Sequence, residues 1–571
     1  MQFNRMKNKI ISVLIFVVTF MGQSAQCQNT RLSAEQMKRM HNETLDDPYK
    51  PNADNNTRTS PAYHYKSRVK SNSTHSIIIT YQANVNSLGQ NILGDAANEP
   101  SIAVNPLDPK KIVIGWRQFD NVTSNFRQAG WGYTTNGGEN WTFPGVIDPG
   151  VFRSDPVLDF DAEGNFYYNS LTNVPDYFCK VYESTNGGAS WDSGVDAHGG
   201  DKQWMVIDRT TEAGRGNIYA FWSYFFTTCG PGFSTRSTNG GSEYENCYII
   251  DGYPYWGTMA IGNSGELYIG GASGTNDSLV VVKSLNAYKR DSVVSWNNPV
   301  RVYVDGNPGG WNGVNPGGLM GQVSIGVDHS DGPGRGNVYI LASLTRTSNA
   351  DPGDVMFARS TDGGLTWSSP TRINDDPSDK NTQWFGTMSV APNGRLDAIW
   401  LDTRDAPAGS DSSDLYYSFS ADQGKTWSAN EKMSGLFDPH VGYPNQNKLG
   451  DYFDMESDNH GAHLAWANTF NGEQDVYYSY IVPYIVAGVD EVSSINGIST
   501  YPNPVTGTLV INGLSINSKI EIFNIPGKKI LSVNSRNTTC EIDMSAQPPG
   551  IYFLKVIDQD GITEVKKIVK K

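Results

Sequence analysis

Acidic and basic side chains recur at one position of a repeated pattern in this chain. When the repeats are aligned on their first apolar strand, this position holds Glu99, Asp155 and Lys202, with Asp201 and Asp451 one or two places away. Pairs of carboxyl groups are the usual acid and base of glycoside hydrolysis. Asp155, Asp201 and Glu99 are therefore our catalytic candidates, and Lys202 and Asp451 are candidates for contact with a substrate.

Three arginines could hold an anionic group near the same place. Arg117 and Arg404 follow the second strands of their repeats, and Arg153 precedes a first strand. A guanidinium binds a carboxylate through two parallel hydrogen bonds, so we expect these side chains to contact an acidic sugar. Asp402, two residues before Arg404, is a further candidate substrate-binding residue.

These candidates lie on a sevenfold repeat that spans residues 74–484. The seven opening strands read PSIAVNP, PVLDFDA, QWMVIDR, GTMAIGN, VSIGVDH, GTMSVAP and DYFDMES, and a turn and two further strands follow each of them. Isolated hairpin sheets leave unpaired edges and a bare face, which radial packing of the sheets removes. The sequence predicts an all-β protein, a β-propeller with seven blades, or with six if one unit is an insertion.

The seventh unit lacks an outer strand. The segment HSIIITYQANV, residues 75–85, alternates as a strand does and precedes the first unit. We expect it to pair with the last unit and so to join both ends of the repeat region.

A turn motif follows the third strand in five units. It reads STDGGLTW at 360–367 and recurs at 134–141, 184–191, 237–244 and 420–427. Its acid or amide can accept backbone hydrogen bonds, its glycines permit positive φ, and its last aromatic ring returns into the sheet. Local roles of this kind predict a structural function for Asn136, Asn186, Asn239, Asp362 and Asp422. Because these turns share a face with the first-to-second turns, we expect the chemistry at the opposite face.

The motif resembles the Asp box of sialidase-like propellers, and the resemblance covers the repeat region. It implies a fold that binds or cleaves glycans at a central mouth on the face away from the boxes. Sialidases hold the substrate carboxylate with three arginines, a role that Arg117, Arg153 and Arg404 would take here. Their early Phe/Tyr-Arg-Ile-Pro motif has its nearest match in VFRSDP, where Ser154 and Asp155 replace the single isoleucine.

The two ends of the chain predict export. Residues 1–27 combine basic residues, a short apolar run and small residues, as a cleaved signal peptide does. Polar linkers are expected at 28–73, which could also wrap the surface, and at 485–498. Residues 499–571 have short alternating strands that predict a small β-sandwich, and through YPNP and PPGIYFLKV they resemble the C-terminal sorting domains of type IX secretion substrates. That resemblance implies contact with secretion machinery and a secreted or cell-surface protein.

Net charge and hydropathy restrict the classes of molecule that this protein could bind. A net charge of −15 over 571 residues disfavours nucleic acid and anionic membranes, and no later segment is apolar enough to span a bilayer. We expect an extracellular glycan or glycoconjugate as partner. No cofactor is expected, although DFDAEGN at 159–165 has oxygen spacing that would suit a structural calcium ion. Cys229 and Cys247 flank one repeat and are as consistent with a disulfide as with two free thiols.

The leading hypothesis is a secreted sialidase-like propeller that binds or hydrolyses an anionic extracellular glycan. If it is an enzyme, we expect an exo-sialidase-like glycosidase rather than a lyase. A non-catalytic glycan- or protein-binding surface module is the alternative, which the departure at VFRSDP favours. A polysaccharide lyase would need a histidine and a tyrosine together at the mouth.

Overall fold

The computed structural model describes residues 46–49, 58–67, 75–173, 176–224, 226–275, 277–309, 313–349, 351–484, 498–524, 527–557 and 563–571. Over these ranges the secondary structure is entirely β-strands and turns. The chain divides into two compact units, Met1–Tyr484 and Ile485–Lys571. The predicted signal peptide and most of the two predicted linkers lie outside the described residues.

Seven antiparallel sheets follow one another along the first unit, and we number them 1 to 7 in the order of the repeats. Sheet 1 contains Ala96–Val104, Ile112–Phe119, Gln128–Thr134 and Thr142–Ile147. Sheet 2 contains Ser154–Phe160, Phe166–Thr172, Phe178–Ser184 and Val195–Asp196. Sheet 3 contains Trp204–Ile207, Ile218–Phe221 and Ser234–Ser237. Sheet 4 contains Tyr255–Ile261, Leu267–Ala272, Ser278–Ser284 and Val300–Tyr303.

The remaining three sheets continue this pattern. Sheet 5 contains Ser324–Val327, Val338–Arg346, Asp354–Ser360 and Thr371–Arg372, and Gly306–Asn307 pairs with the far end of Val338–Arg346. Sheet 6 contains Gln383–Val390, Leu396–Asp402, Asp414–Ser420 and Glu431–Lys432. Sheet 7 contains Asp454–Ser457, Ala462–Asn468, Asp475–Val482, Ile77–Gln82 and His64–Lys66. A separate two-stranded pair joins Thr59–Pro61 to Gln90–Ile92.

Burial follows the position of a strand within its sheet. Every residue of the second strands Ile112–Phe119 and Leu396–Asp402 is buried, because neighbouring sheets cover both of their faces. The fourth strand Thr142–Ile147 includes exposed residues, as expected for an outer edge. The core is therefore a series of layers between successive sheets.

The first strands of the sheets lie side by side around a common centre. Each contacts the first strand of the next sheet, and Asp454–Ser457 of sheet 7 contacts Ala96–Val104 of sheet 1. Side chains join them across the boundaries: Ser101 Oγ donates to Asp454 Oδ2 at 2.6 Å, and Thr258 Oγ1 accepts from Ile325 N at 2.9 Å. Strand Ile77–Gln82 pairs antiparallel with Asp475–Val482. The fold is a β-propeller, and we interpret the seven sheets as its blades.

The turn motif follows the third strand and is held by local hydrogen bonds; in sheets 1, 2, 5 and 6 it connects the third strand to the fourth. Asp362 Oδ1 accepts from Ser360 Oγ at 2.7 Å and from the N–H groups of Leu365 and Thr366 at 3.1 and 2.9 Å. Gly364 has φ of +88°, a conformation that glycine adopts without strain. In the other four motifs a serine or threonine hydroxyl two residues earlier donates the same hydrogen bond to the side-chain oxygen of Asn136, Asn186, Asn239 or Asp422.

The second unit consists of two antiparallel sheets. One contains Ser499–Tyr501, Thr508–Asn512 and Thr539–Asp543; the other contains Lys529–Asn534, Lys519–Asn524, Gly550–Ile557 and Thr563–Lys570. Alternating apolar residues such as Leu509, Ile522 and Leu554 are fully buried in one core between them. This unit is the predicted small β-sandwich.

Candidate functional site

The aligned candidate positions share an unusual backbone conformation. Glu99, Asp155 and Lys202, together with Trp256 and Phe385 at the same position in sheets 4 and 6, have φ values between 49° and 58°. In sheet 7 this position is Gly450, with φ of 114°, whereas in sheet 5 it is Gln322, which follows Gly321 with φ of 125°. Left-handed φ is rare outside glycine. In sheets 1, 2, 4 and 6 it accompanies a shift of register between the first and second strands, as a β-bulge produces. In six of the seven sheets the aligned position thus has a positive φ as well as an equivalent place in the sequence.

The structure brings six predicted site residues together and adds a seventh. Lys202 Nζ lies 2.8 Å from Asp451 Oδ2, 3.2 Å from Asp201 Oδ1 and 4.0 Å from Asp155 Oδ2. Arg117 Nε contacts Glu99, and Lys448 Nζ contacts Asp451. We call this set the ionic cluster: Glu99, Arg117, Asp155, Asp201, Lys202, Lys448 and Asp451. No member has more than 6% of its surface exposed.

The charges of the ionic cluster shift one another's pKa values. Burial raises the pKa of Glu99 to about 7, and Arg117 opposes this shift only in part. Burial also acts to raise the pKa of Asp155, but Lys202 and Lys448 outweigh it and lower the value to about 2. Asp155 is therefore ionised at neutral pH, which suits a partner in an ion pair better than a proton donor.

A loop covers the ionic cluster. Residues 313–321 precede the first strand of sheet 5 and cross to sheet 7, where Leu319 N donates to Asp451 Oδ1 at 2.9 Å. Asn315 fixes the crossing, because its Nδ2 donates to Gly450 O and its Oδ1 accepts from Leu449 N, both at 2.9 Å. Sheet 6 lies between sheets 5 and 7, so this cross-channel loop spans the place where the sequence predicts an open mouth.

The arginines are held by separate partners. Arg153 pairs with Asp148 at 2.9 Å, and Arg404 pairs with Asp402 at 2.8 Å and with Asp375 at 2.7 Å. Asp402 is itself buried and also accepts from Trp400 Nε1 at 2.9 Å. Arg117 belongs to the ionic cluster. The three guanidinium groups thus have no carboxylate partner in common among the described residues.

A central cavity of about 650 Å³ is lined by the first strands of all seven sheets and by the turns that follow them. Trp204, Gln322 and Phe453 line one end of it, and Asn105 and Thr210 belong to the turns at the other end. The side chains of Arg209 and Glu456 in this cavity are 34% and 35% exposed. Solvent therefore reaches the cavity from the face of the first-to-second turns, the face that also carries the turn motif.

Carboxylates dominate the charge of the central cavity. Asp454 accepts from Ser101 Oγ and Ile102 N, and Asp159 Oδ2 accepts from Ile207 N at 2.7 Å. Burial raises the pKa of Asp454 to about 6 and that of Glu456 to about 7, and it also raises the pKa of Asp159. Arg209 contacts Asp159, lies 3.9 Å from Glu456 and stacks 4.0 Å above the Phe160 ring.

Sequence reasoning missed these cavity residues. Asp159, Asp454 and Glu456 lie inside apolar opening strands, where a charged residue at an alternating position was the available signal. Gln322, at the aligned position of sheet 5, differs from these acids in that its side chain has no partner among the described residues. Its side chain lines the cavity, is 4% exposed, and has neither its Nε2 nor its Oε1 hydrogen-bonded to any described residue.

The segment with calcium-like spacing forms a turn. Asp161 Oδ1 accepts from Glu163 N at 3.0 Å and from Asn165 N at 2.8 Å, while Asp159 bonds across to sheet 3. In the described ranges, the group of potential metal ligands that lies close enough together is His198, Cys229 and Cys247. Cys229 and Cys247 form a disulfide, which resolves the pairing that the sequence left open and occupies both sulfurs.

Comparison with known proteins identifies the C-terminal unit. Residues 499–571 match the secretion system C-terminal sorting domain. No curated protein sequence matches the chain. The protein is thus a type IX secretion substrate, exported to the cell surface or the extracellular space. No described helix is long and apolar enough to cross a membrane.

Solved structures with a similar fold include two sialidases. A protein of unknown function from Dyadobacter fermentans is 13% identical, with 71% of this chain and 98% of that one covered and a TM-score of 0.37. The Hadza microbial sialidase Hz136 is 11% identical, with coverage of 68% and 66% and a TM-score of 0.35. A variant of the NanB sialidase from Streptococcus pneumoniae is 11% identical, with coverage of 73% and 71% and a TM-score of 0.34. None of these similarities assigns a ligand or an activity to this chain.

Proposed function

We propose that this exported propeller binds an extracellular glycan in its central cavity and does not hydrolyse it. The observation that carries the proposal is the cavity itself, which has about 650 Å³ of space and walls that combine apolar side chains with hydrogen-bonding groups. Sugars need both, since their C–H faces pack on apolar or aromatic groups while their hydroxyls need partners. Trp204 supplies an indole ring to the wall, and Gln322 supplies a free amide.

Three features of the ionic cluster support binding over sialidase-like hydrolysis. Its carboxylates are already paired with Lys202, Lys448 and Arg117. The cross-channel loop bonds directly to Asp451 and lies over it. The predicted acid Asp155 has a pKa of about 2 and holds no proton to donate at neutral pH. The ionic cluster is best explained as a support for the inner ends of four sheets.

The proposal is tested by screening the secreted protein against sialosides, uronic-acid polysaccharides, and neutral and amino-sugar glycans. Titration calorimetry then measures the affinity for each glycan that binds. Trp204→Leu should weaken binding at least ~10-fold, about 1.4 kcal/mol, because the cavity loses its indole ring. Trp296→Leu is the matched control, since Trp296 is half-buried outside the cavity and donates to Ile249 O at 3.0 Å.

Each alternative function has its own result in this screen. Release of reducing ends would make the protein a hydrolase, and absorbance of unsaturated products would make it a lyase. Absence of binding to every glycan would refute the proposal. Equal losses in Trp204→Leu and Trp296→Leu would move the binding site away from the central cavity.

A further inference from the structure

The central cavity carries an excess of negative charge. Asp159, Asp454, Glu456 and Asp458 line it, whereas Arg209 is the one lysine or arginine among the lining residues that the structure describes. Arg209 is already engaged, since it contacts Asp159 and lies 3.9 Å from Glu456. The lining histidines do not reverse this balance: His463 faces Asp458 at 3.3 Å, and burial lowers the pKa of His329.

Uncompensated charge of this kind selects the charge of a ligand. A carboxylate-bearing sugar would be repelled by these four acids and would find Arg209 already in contact with Asp159. A cationic group would be attracted to Glu456 and Asp454, because both line the cavity and Arg209, the one lysine or arginine near them in the described lining, already contacts Asp159. The cavity therefore favours a cationic ligand, whereas the sialidase resemblance implies an anionic one.

Gln322 provides an independent sign that the cavity receives a polar ligand. Its amide is 4% exposed, and neither its nitrogen nor its oxygen has a hydrogen-bond partner among the described residues. A buried amide without partners is unfavourable, and a sugar hydroxyl can both accept from its Nε2 and donate to its Oε1. Asp159, Asp454 and Glu456 do not form a metal-binding group in the described chain, and Gln322 lies toward the end of the cavity away from the turns, so a bare cation at the acids would leave this amide unused.

We propose that the central cavity selects a glycan with an unsubstituted amino group, whose ammonium is held by the Glu456 and Asp454 carboxylates near the turns and whose hydroxyls reach the Gln322 amide toward the other end of the cavity. This inference rests on the proposed function and gives it a substrate class, the cationic amino sugars. The ammonium group would lie beside Glu456, and the ring would pack on the apolar wall that includes Met259 and Met388.

The experiment compares three disaccharides of matched size by titration calorimetry on the full-length secreted protein at neutral pH. These are a β-1,4-linked glucosamine disaccharide, its N-acetylated counterpart and a uronic-acid disaccharide. We expect the glucosamine form to bind at least tenfold more tightly than the acetylated form and the uronic acid to bind weakest. The preference should fall as salt is raised, because charge causes it.

Two variants locate the origin of this preference. Glu456→Gln should reduce the preference for the amine at least threefold, and Glu139→Gln, an exposed acid on a turn, should leave it unchanged. Gln322→Leu should weaken binding of the amine and acetylated forms by the same factor, because it removes a contact to the ring hydroxyls and no charge. Thermal melting verifies that each variant is folded.

The possible failures are distinguishable. Equal or tighter binding of the acetylated or uronic-acid form overturns the amino-sugar inference and leaves glycan binding in place. An unchanged preference for the amine in Glu456→Gln also overturns the amino-sugar inference, since residues other than Glu456 would then bind the ammonium group. If no saccharide of any charge binds, the proposed function fails together with the inference.

Discussion

Replacement of Lys202 by methionine tests whether the ionic cluster is structural. Lys202 Nζ lies within 4.0 Å of carboxylate oxygens from Asp155, Asp201 and Asp451, and it is 4% exposed. Lys202→Met keeps the length of the side chain and removes its charge. The buried carboxylates would then lose a partner, which costs ~3–5 kcal/mol for buried ion pairs.

The pKa of Asp155 gives an independent check on this magnitude. Its displacement from 3.8 to about 2 corresponds to ~2.5 kcal/mol of net stabilisation of the carboxylate, supplied by Lys202 and Lys448 against burial. In the wild type this contribution is present above pH 3.8 and is lost as the pH falls through 2. In Lys202→Met the carboxyl pKa values rise, so protonation relieves the unpaired charge as the pH falls. The stability difference between the two proteins should therefore be largest near pH 7.5 and smaller at pH 4.5.

Urea titration followed by tryptophan fluorescence measures this difference. All 14 tryptophans precede residue 485, so the signal reports the propeller and not the C-terminal unit. Lys425→Met, at an exposed turn position, is the matched control and should change the free energy of unfolding by less than ~0.5 kcal/mol. Adding Asp451→Asn to Lys202→Met should cost less than the sum of the two single changes, because the two residues contact each other.

A loss below ~1 kcal/mol for Lys202→Met at pH 7.5, or the same loss at both pH values, would refute this reasoning. The variant also distinguishes a glycan-binding site in the central cavity from one at the ionic cluster. Under the proposed function, glycan binding per folded molecule stays unchanged in Lys202→Met. Loss of binding in the folded variant would return Lys202 to the substrate-contacting role that the sequence predicts.

Two further predictions concern the turn motif and export. Asp362→Ala should destabilise the propeller by ~1–2 kcal/mol in the same urea titration, because Leu365 N and Thr366 N lose their acceptor. Asp362→Asn should cost less, since Asn136 accepts the equivalent bond from Asn140 N at 3.1 Å, and equal losses would contradict the local role. A chain that ends at residue 498 lacks the matched sorting domain and should remain inside the outer membrane when cells are fractionated. Its appearance on the cell surface would show that export does not need residues 499–571.

The architecture could be predicted from the sequence because it depends on local patterns that repeat. Alternating strands such as PSIAVNP and DYFDMES, with glycine-bearing turns between them, specify antiparallel sheets whose faces must be covered by similar sheets. The same repetition located Glu99, Asp155 and Lys202 at matching places, with Asp451 beside the matching Gly450, since equivalent positions in a repeat adopt similar backbone. Separation of residues 499–571 followed from a change of pattern in the same way.

Which of these positions solvent reaches was decided by the tertiary structure. Asn315 and Gly450 are 135 residues apart, and nothing in either segment alone specifies that the cross-channel loop spans sheet 6 to join them. The fold likewise decides which carboxylate pairs with each arginine; Arg153, for example, pairs with Asp148. The sequence determined most of each sheet, because the strands that pair within a repeat and the turns between them are close together in the chain. The accessible cavity and its excess of carboxylates required the assembled propeller, because burial and ion pairing depend on neighbours that are distant in the chain.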